Sequence, residues 1–296
     1  MENVRKKLKV DSYYKKGIDG RDVTIAVLDS GVAWHYDLKN QIRDFRDFTV
    51  GRKKRYDDNG HGTHICGMIA GSGELYHRYR GIAPRSQLIV GKVLDYMGNG
   101  KIEDVIKGIE WILEVKDYYR IRLLNISIGK SGNPKGKMEH QLINAVENAW
   151  DAGLIVVVAA GNKGPRHRTV TIPGVSKKVI TVGAIDMINT KIGETQQLLS
   201  YSGSGPTWEC IEKPEIVTFG NKIISCGNYR NGYVSKSGTS MATPIVTACI
   251  ALLLQKHPEL SNTEVKKILK STCVKLKEDP LRQGWGALSL EKMMLI

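Results

Sequence analysis

Five short apolar runs, at residues 23–28, 88–93, 123–128, 154–160 and 179–182, constrain this chain more than any other feature. All are short, predominantly apolar and bounded by turn residues, so each expects burial on both faces, as a central strand of a parallel sheet does. Parallel strands need long crossovers, and the intervening sequence supplies helical patterns, the clearest at 103–116 and 139–151. The expected architecture is α/β: a mostly parallel twisted sheet with helices on both faces, in a single domain of residues 21–296. Residues 1–20 form an N-terminal extension, read as a docking or inhibitory arm. Towards the C-terminus, 243–255 is apolar enough for a helix buried on nearly all sides, and 262–271 follows with an amphipathic pattern.

Composition narrows the function classes. Of 296 residues, 41% are hydrophobic and only nine are proline, enough apolar sequence for a sizeable core. No run reaches the roughly 18 apolar residues of a membrane span, and the basic start, Arg5-Lys6-Lys7-Leu8-Lys9, lacks the apolar stretch of a signal peptide. Five cysteines, Cys66, Cys210, Cys226, Cys249 and Cys273, are odd in number and without a Cys-x-x-Cys pair, which argues against a disulfide framework or a zinc site. These features give the expectation of a cytoplasmic protein, or of a secreted mature form if a leader has been removed, with no membrane partner. The net charge of +14 raises the question of nucleic acid, but its densest blocks, 5–9 and 52–55, carry no interleaved aromatics. A solvated basic surface, or attraction to acidic protein substrates, is the reading that remains.

In such a sheet functional groups gather at the carboxyl ends of strands. The first run ends on Asp29, in Leu28-Asp29-Ser30-Gly31-Val32. The segment Asp58-Asn59-Gly60-His61-Gly62-Thr63-His64 precedes a stretch of small residues. His61 and His64 lack the spacing and the glutamate of a zinc-protease helix, so no metal ligand is assigned. The segment Ser237-Gly238-Thr239-Ser240-Met241-Ala242-Thr243-Pro244 runs into the apolar helix. Pro244 fits a first helical turn and places Ser240 at the helix N-terminus, where free N–H groups favour negative charge. Past another buried run stands Ala159-Ala160-Gly161-Asn162.

With these segments in this order, the chain resembles the subtilisin family of serine proteases over nearly its whole length. The resemblance implies a triad of Asp29, His61 and Ser240, and an oxyanion hole made by the Asn162 side chain and the Ser240 backbone N–H. It implies a substrate strand held between Gly98-Asn99-Gly100 and Ser127-Ile128-Gly129, with the primary pocket walled by the latter and by Ala160, Gly161, Asn162 and Lys163. Many relatives carry an acidic or neutral residue where this chain has Lys163, followed by Arg166, His167 and Arg168. A cation at the pocket base expects an acidic side chain before the scissile bond; a lysine reaching into water and an apolar pocket is the alternative.

Many secreted relatives bind calcium in a loop after the helix of the catalytic histidine. The matching stretch, Gly73 to Gly81, offers one carboxylate and two arginines, so that site is expected to be absent, no cofactor is required, and Asp57 and Asp58 are the remaining candidates for a different calcium site. The short N-terminus is closest to the intracellular branch. The expected activity is a serine endopeptidase acting on peptide or protein substrates, with a dedicated leader protease or an inactive scaffold as alternatives. Cys66 is read as packed core beside His61.

Overall fold

The computed structural model describes residues 1–131, 136–186 and 199–296. Two short helices, α1 (Glu2–Leu8) and α2 (Val10–Tyr14), precede β1 (Thr24–Asp29) and β2 (Ile42–Asp47). Then come α3 (His61–Ala70), β3 (Gln87–Lys92), α4 (Ile102–Tyr119), β4 (Ile121–Ile126), α5 (Lys137–Asp151), β5 (Ile155–Ala159), β6 (Ile180–Ile185) and β7 (Ile216–Phe219). The chain closes with β8 (Ile223–Cys226), β9 (Tyr233–Lys236), α6 (Thr239–Lys256), α7 (Asn262–Thr272), α8 (Pro280–Gln283) and α9 (Leu290–Met293).

Seven strands form one parallel sheet in the order β2-β3-β1-β4-β5-β6-β7, and β8 with β9 makes a separate antiparallel pair. All five apolar runs are central strands, because every residue of β1, β5 and β6 is buried on both faces. Helices α4 and α5 cover one face over β1, β4 and β5; α3 and α6 cover the other. The register sets Asp29 opposite Lys92 and Ile126 opposite Val158, so the carboxyl ends of β1, β3, β4 and β5 form one rim.

Helix α6 crosses the core under β4 to β7. It is long and apolar enough to cross a membrane, yet 83% of it is buried inside the protein, which is how a central core helix reads. Each fully buried large side chain on it, such as Ile245, Ile250 and Leu252, contributes about 1.5–3 kcal/mol. The helix begins earlier than the sequence suggests. Thr239 opens it, so Pro244 lies in its second turn and not its first. A proline there withholds the N–H that the Ser240 carbonyl would accept, a loss tolerated where the rest of the helix is packed.

The extension of residues 1–20 is not a loose tail. Val4, Leu8 and Val10 are buried, Lys9 pairs with Glu291, and Gln255 bonds the backbone of Gly17, Asp19 and Gly20.

Candidate active site

Asp29 is the last residue of β1 and wholly buried. Its Oδ1 accepts from the Ser30 N–H and from His61 Nδ1, both at 2.7 Å, and its Oδ2 is buried without a partner. His61 opens α3, which lies against β1 so closely that a Cβ on Gly62 would stand 2.1 Å from the Gly31 carbonyl oxygen. Only glycine fits there, and the fit keeps the imidazole over the carboxylate. Burial pushes the His61 pKa down, but the charge of Asp29 and its hydrogen bond prevail and leave it above the usual 6.5.

Asp57 organises the turn before α3. Its Oδ1 accepts from Ser30 Oγ, Asn59 N–H and Gly60 N–H, and its Oδ2 from the Thr63 N–H and hydroxyl. An anion at a helix N-terminus that takes five hydrogen bonds fixes the first turn of α3. Lys92, at the end of β3 and 1% exposed, donates to the carbonyls of Ser30 and Leu94 and to Asp58 Oδ1, at 2.9, 2.7 and 2.6 Å. Of the two carboxylates suggested for calcium, Asp57 accepts from protein donors through both oxygens, and Asp58 is paired with Lys92 through its Oδ1.

Ser240 is the second residue of α6, and its N–H is one of the first-turn donors that an α-helix leaves free. Its hydroxyl donates to the Ser127 carbonyl at 2.7 Å. Asn162 is held from one side only: its Oδ1 accepts from the Thr239 N–H and hydroxyl, at 3.0 and 3.2 Å, which leaves the Nδ2 donors for the cleft. His61, Asn162 and Ser240 line a common cleft of about 600 Å3.

The two expected substrate-binding segments, Gly98-Asn99-Gly100 and Ser127-Ile128-Gly129, both line this cleft, with Gly161 and Lys163. Two expectations need correction. Ala160 is fully buried and does not line the cleft, because side chains alternate across the strand end and Ala159 takes that position. Lys163 is exposed, so its ammonium sits at the rim and not at the pocket base. The floor includes Thr171, which is 3% exposed and has an Oγ1 without a hydrogen-bond partner. Thr171 sits so close that a Cβ on Gly129 would meet its Oγ1 at 2.2 Å. None of residues 1–20 lines the cleft.

His64 turns away from His61. Its Nε2 lies 3.1 Å from the carbonyls of Ile223 and Val234, tying α3 to β8 and β9, and burial lowers its pKa to about 3. Cys66 is fully buried, and burial pushes its thiol well above the ordinary value.

Residues 20–286 match the subtilase family, peptidase S8. The chain belongs to that family. The subtilase is 42% identical over 294 residues to serine protease AprX of Bacillus subtilis (strain 168), a match covering 93% of this chain and 66%, just under two thirds, of that protein. It is 33% identical to subtilisin DY of Bacillus licheniformis, covering 96% of this chain and 95% of that one. Among solved structures, the S41 psychrophilic protease superposes with a TM-score of 0.82 at 29% identity, covering 92% and 93% of the two chains. Sphericase gives 0.81 at 30%, with the same coverage. The protein is a subtilisin-like serine protease whose substrates are peptides or proteins. Within this subtilase, Lys92 and Thr171 are the residues that sequence reading passed over as site components, while Asp57, weighed there only as a calcium ligand, instead fixes the turn before His61. Lys92 and Thr171 carry no local signal, since each acquires its place only when separate strands assemble.

Proposed function

We propose that the subtilase cleaves internal peptide bonds with Ser240 as nucleophile, His61 as general base and Asp29 as the group that orients and stabilises the imidazolium, and that it prefers an acidic residue before the scissile bond. The observation that carries the chemistry is the 2.7 Å bond from His61 Nδ1 to buried Asp29, with His61, Ser240 and Asn162 on a single cleft. A serine hydroxyl needs a base to take its proton as it attacks. With Nδ1 bound to Asp29, the Nε2 of His61 is the acceptor, and the same proton later goes to the leaving amine. The Ser240 hydroxyl turns from the Ser127 carbonyl to His61 when a substrate strand along 127–129 competes for that carbonyl. The Asn162 Nδ2 and the Ser240 N–H then bind the oxyanion.

The acidic preference is supported by the charges on the cleft wall. The described lining holds Lys130 and Lys163 and no carboxylate. Lys130 is paired with Glu139, and Arg168 stacks over the Trp208 ring instead of entering the cleft. Lys163 is left as the cation for a substrate carboxylate, and the unpaired Thr171 hydroxyl is a donor placed deeper in the same pocket. The test is mass-spectrometric mapping of cleavage in a diverse peptide library by wild type and Ser240→Ala. Cleavage absent in the variant and concentrated after Glu or Asp in wild type is expected. Cleavage persisting in Ser240→Ala defeats the mechanism, and cleavage spread over apolar residues defeats the preference.

A further inference from the structure

The loop that joins α3 to β3 is where the family resemblance implies calcium, and its oxygens are already taken. Arg5, on α1, is 1% exposed. Its guanidinium donates to the carbonyls of Arg80 at 2.7 Å, His77 at 3.1 Å and Arg78 at 3.4 Å, while its Nε bonds Asp11 at 3.0 Å. The Tyr14 hydroxyl, at the end of α2, lies 2.6 and 2.9 Å from the next two carbonyls, those of Gly81 and Ile82. Five carbonyl oxygens within six residues thus converge on two side chains of the N-terminal arm. The carboxylates nearby are occupied as well. Glu74 pairs with Lys39, and Asp37 accepts from Tyr233, Leu75 and Ser72. Asp37 also belongs to a cluster with His35 and Cys226 whose candidate ligand atoms lie within 4.8 Å of one another. His35 Nδ1 there accepts the Asp37 N–H and its Nε2 faces the Gly232 carbonyl, so neither nitrogen is open to a metal. A hard cation needs six to eight free oxygens, and a site that already holds a guanidinium does not fit one.

We infer that Arg5 is a tethered substitute for a metal ion: it supplies from within the chain the positive charge and the multiple donors that order the loop after α3, so that the fold requires no calcium. The planar fork of a guanidinium suits this task, since its donors diverge towards several carbonyls at once. The clamp bears on the cleft through backbone bonds. Gly81 donates to the Gly71 carbonyl, Ile82 to that of Met68 and Ala83 to that of Ile69, at 2.8, 3.1 and 2.8 Å, and these close the loop onto the C-terminal turn of the helix that His61 begins.

The test uses the full chain in a Ser240→Ala background, which keeps self-digestion out of the measurement. Thermal unfolding is followed for this parent and for Arg5→Met, Arg5→Lys and Tyr14→Phe, each in millimolar EDTA and in millimolar CaCl2. The parent is expected to melt at the same temperature in both. Arg5→Met is expected to melt lower by about 5–10 °C, since three partly buried carbonyls lose their donor and the buried Arg5 site loses its charge. Arg5→Lys should fall between, keeping the charge but not the fork, and Tyr14→Phe should show a smaller drop. A parent whose Tm falls by several degrees in EDTA overturns the inference, as does an Arg5→Met protein as stable as the parent. Should Arg5→Met fail to fold, Arg5→Lys and Tyr14→Phe decide, and parental stability in both overturns it.

Discussion

Asp29 binds His61 through one oxygen and leaves the other buried and unpartnered. A carboxylate with an unsatisfied buried oxygen is a strong source of negative potential at short range. That potential raises the His61 pKa against the effect of burial.

The proposed base works only when neutral, so kcat/KM for peptide hydrolysis should rise with pH through a midpoint above 6.5, the ordinary histidine value. Asp29→Asn leaves burial as the dominant influence. It should move that midpoint to lower pH and cut kcat by about 10⁴. A pH–rate profile of the two proteins checks both, and an unmoved midpoint counts against the assigned role of Asp29.

Asn162 separates two jobs between its two side-chain atoms, with Oδ1 clamping Thr239 and Nδ2 proposed to meet the oxyanion. Asn162→Asp keeps the acceptor and removes the donor. It should lower kcat by about 10²–10³ or more with little change in KM and a near-native melting temperature. A loss confined to KM would point to substrate binding instead.

Lys163 is exposed, so solvent screening limits its attraction for a substrate carboxylate to about 1 kcal/mol. Lys163→Ala should reduce the ratio of kcat/KM for Glu over Leu substrates by about fivefold, and Lys163→Glu should reduce it further. Thr171→Val, nearly the same shape without the hydroxyl, should weaken the acidic substrate and spare the apolar one. Matched peptides differing only at the residue before the cleaved bond provide the measurement.

His64 makes the fold acid-sensitive. Its pKa is about 3 when folded and close to 6.5 when unfolded, so the unfolded chain binds the extra proton between these values. Stability from this group is complete above pH 6.5 and is lost as pH falls, by up to about 1.4 kcal/mol per unit. Urea unfolding of Ser240→Ala at pH 7, 5.5 and 4.5 should show this slope, and His64→Phe should flatten it while lowering stability at pH 7.

Much of this fold is legible in the sequence for a simple reason. β1, β3, β4, β5 and β6 are buried on both faces along nearly their whole length, and such strands read as predominantly apolar runs, with Lys92 and Asn125 among the buried polar exceptions. β2, Ile-Arg-Asp-Phe-Arg-Asp, is an edge strand with mixed burial and carries no such run, while β7 to β9 are four residues each. The triad segments were read through family resemblance, because the turn around His61 is built from small residues whose periodicity says little. The arm was read by its charge alone. Nothing local tells that Arg5 is buried while its neighbour Lys6 is exposed, since that depends on carbonyls more than seventy residues away.

Lys92 joins the turn after Asp29, the approach to His61 through Asp58 and the start of the 94–100 segment in a single buried ammonium. These three pieces cannot be tuned one at a time. A graft that imports a new 94–100 loop to change substrate preference also changes an acceptor of that ammonium, and so disturbs the carboxylate and the imidazole. Engineering of this cleft should therefore exchange the loop together with β3 as one cassette, or restrict changes to positions beyond Leu94.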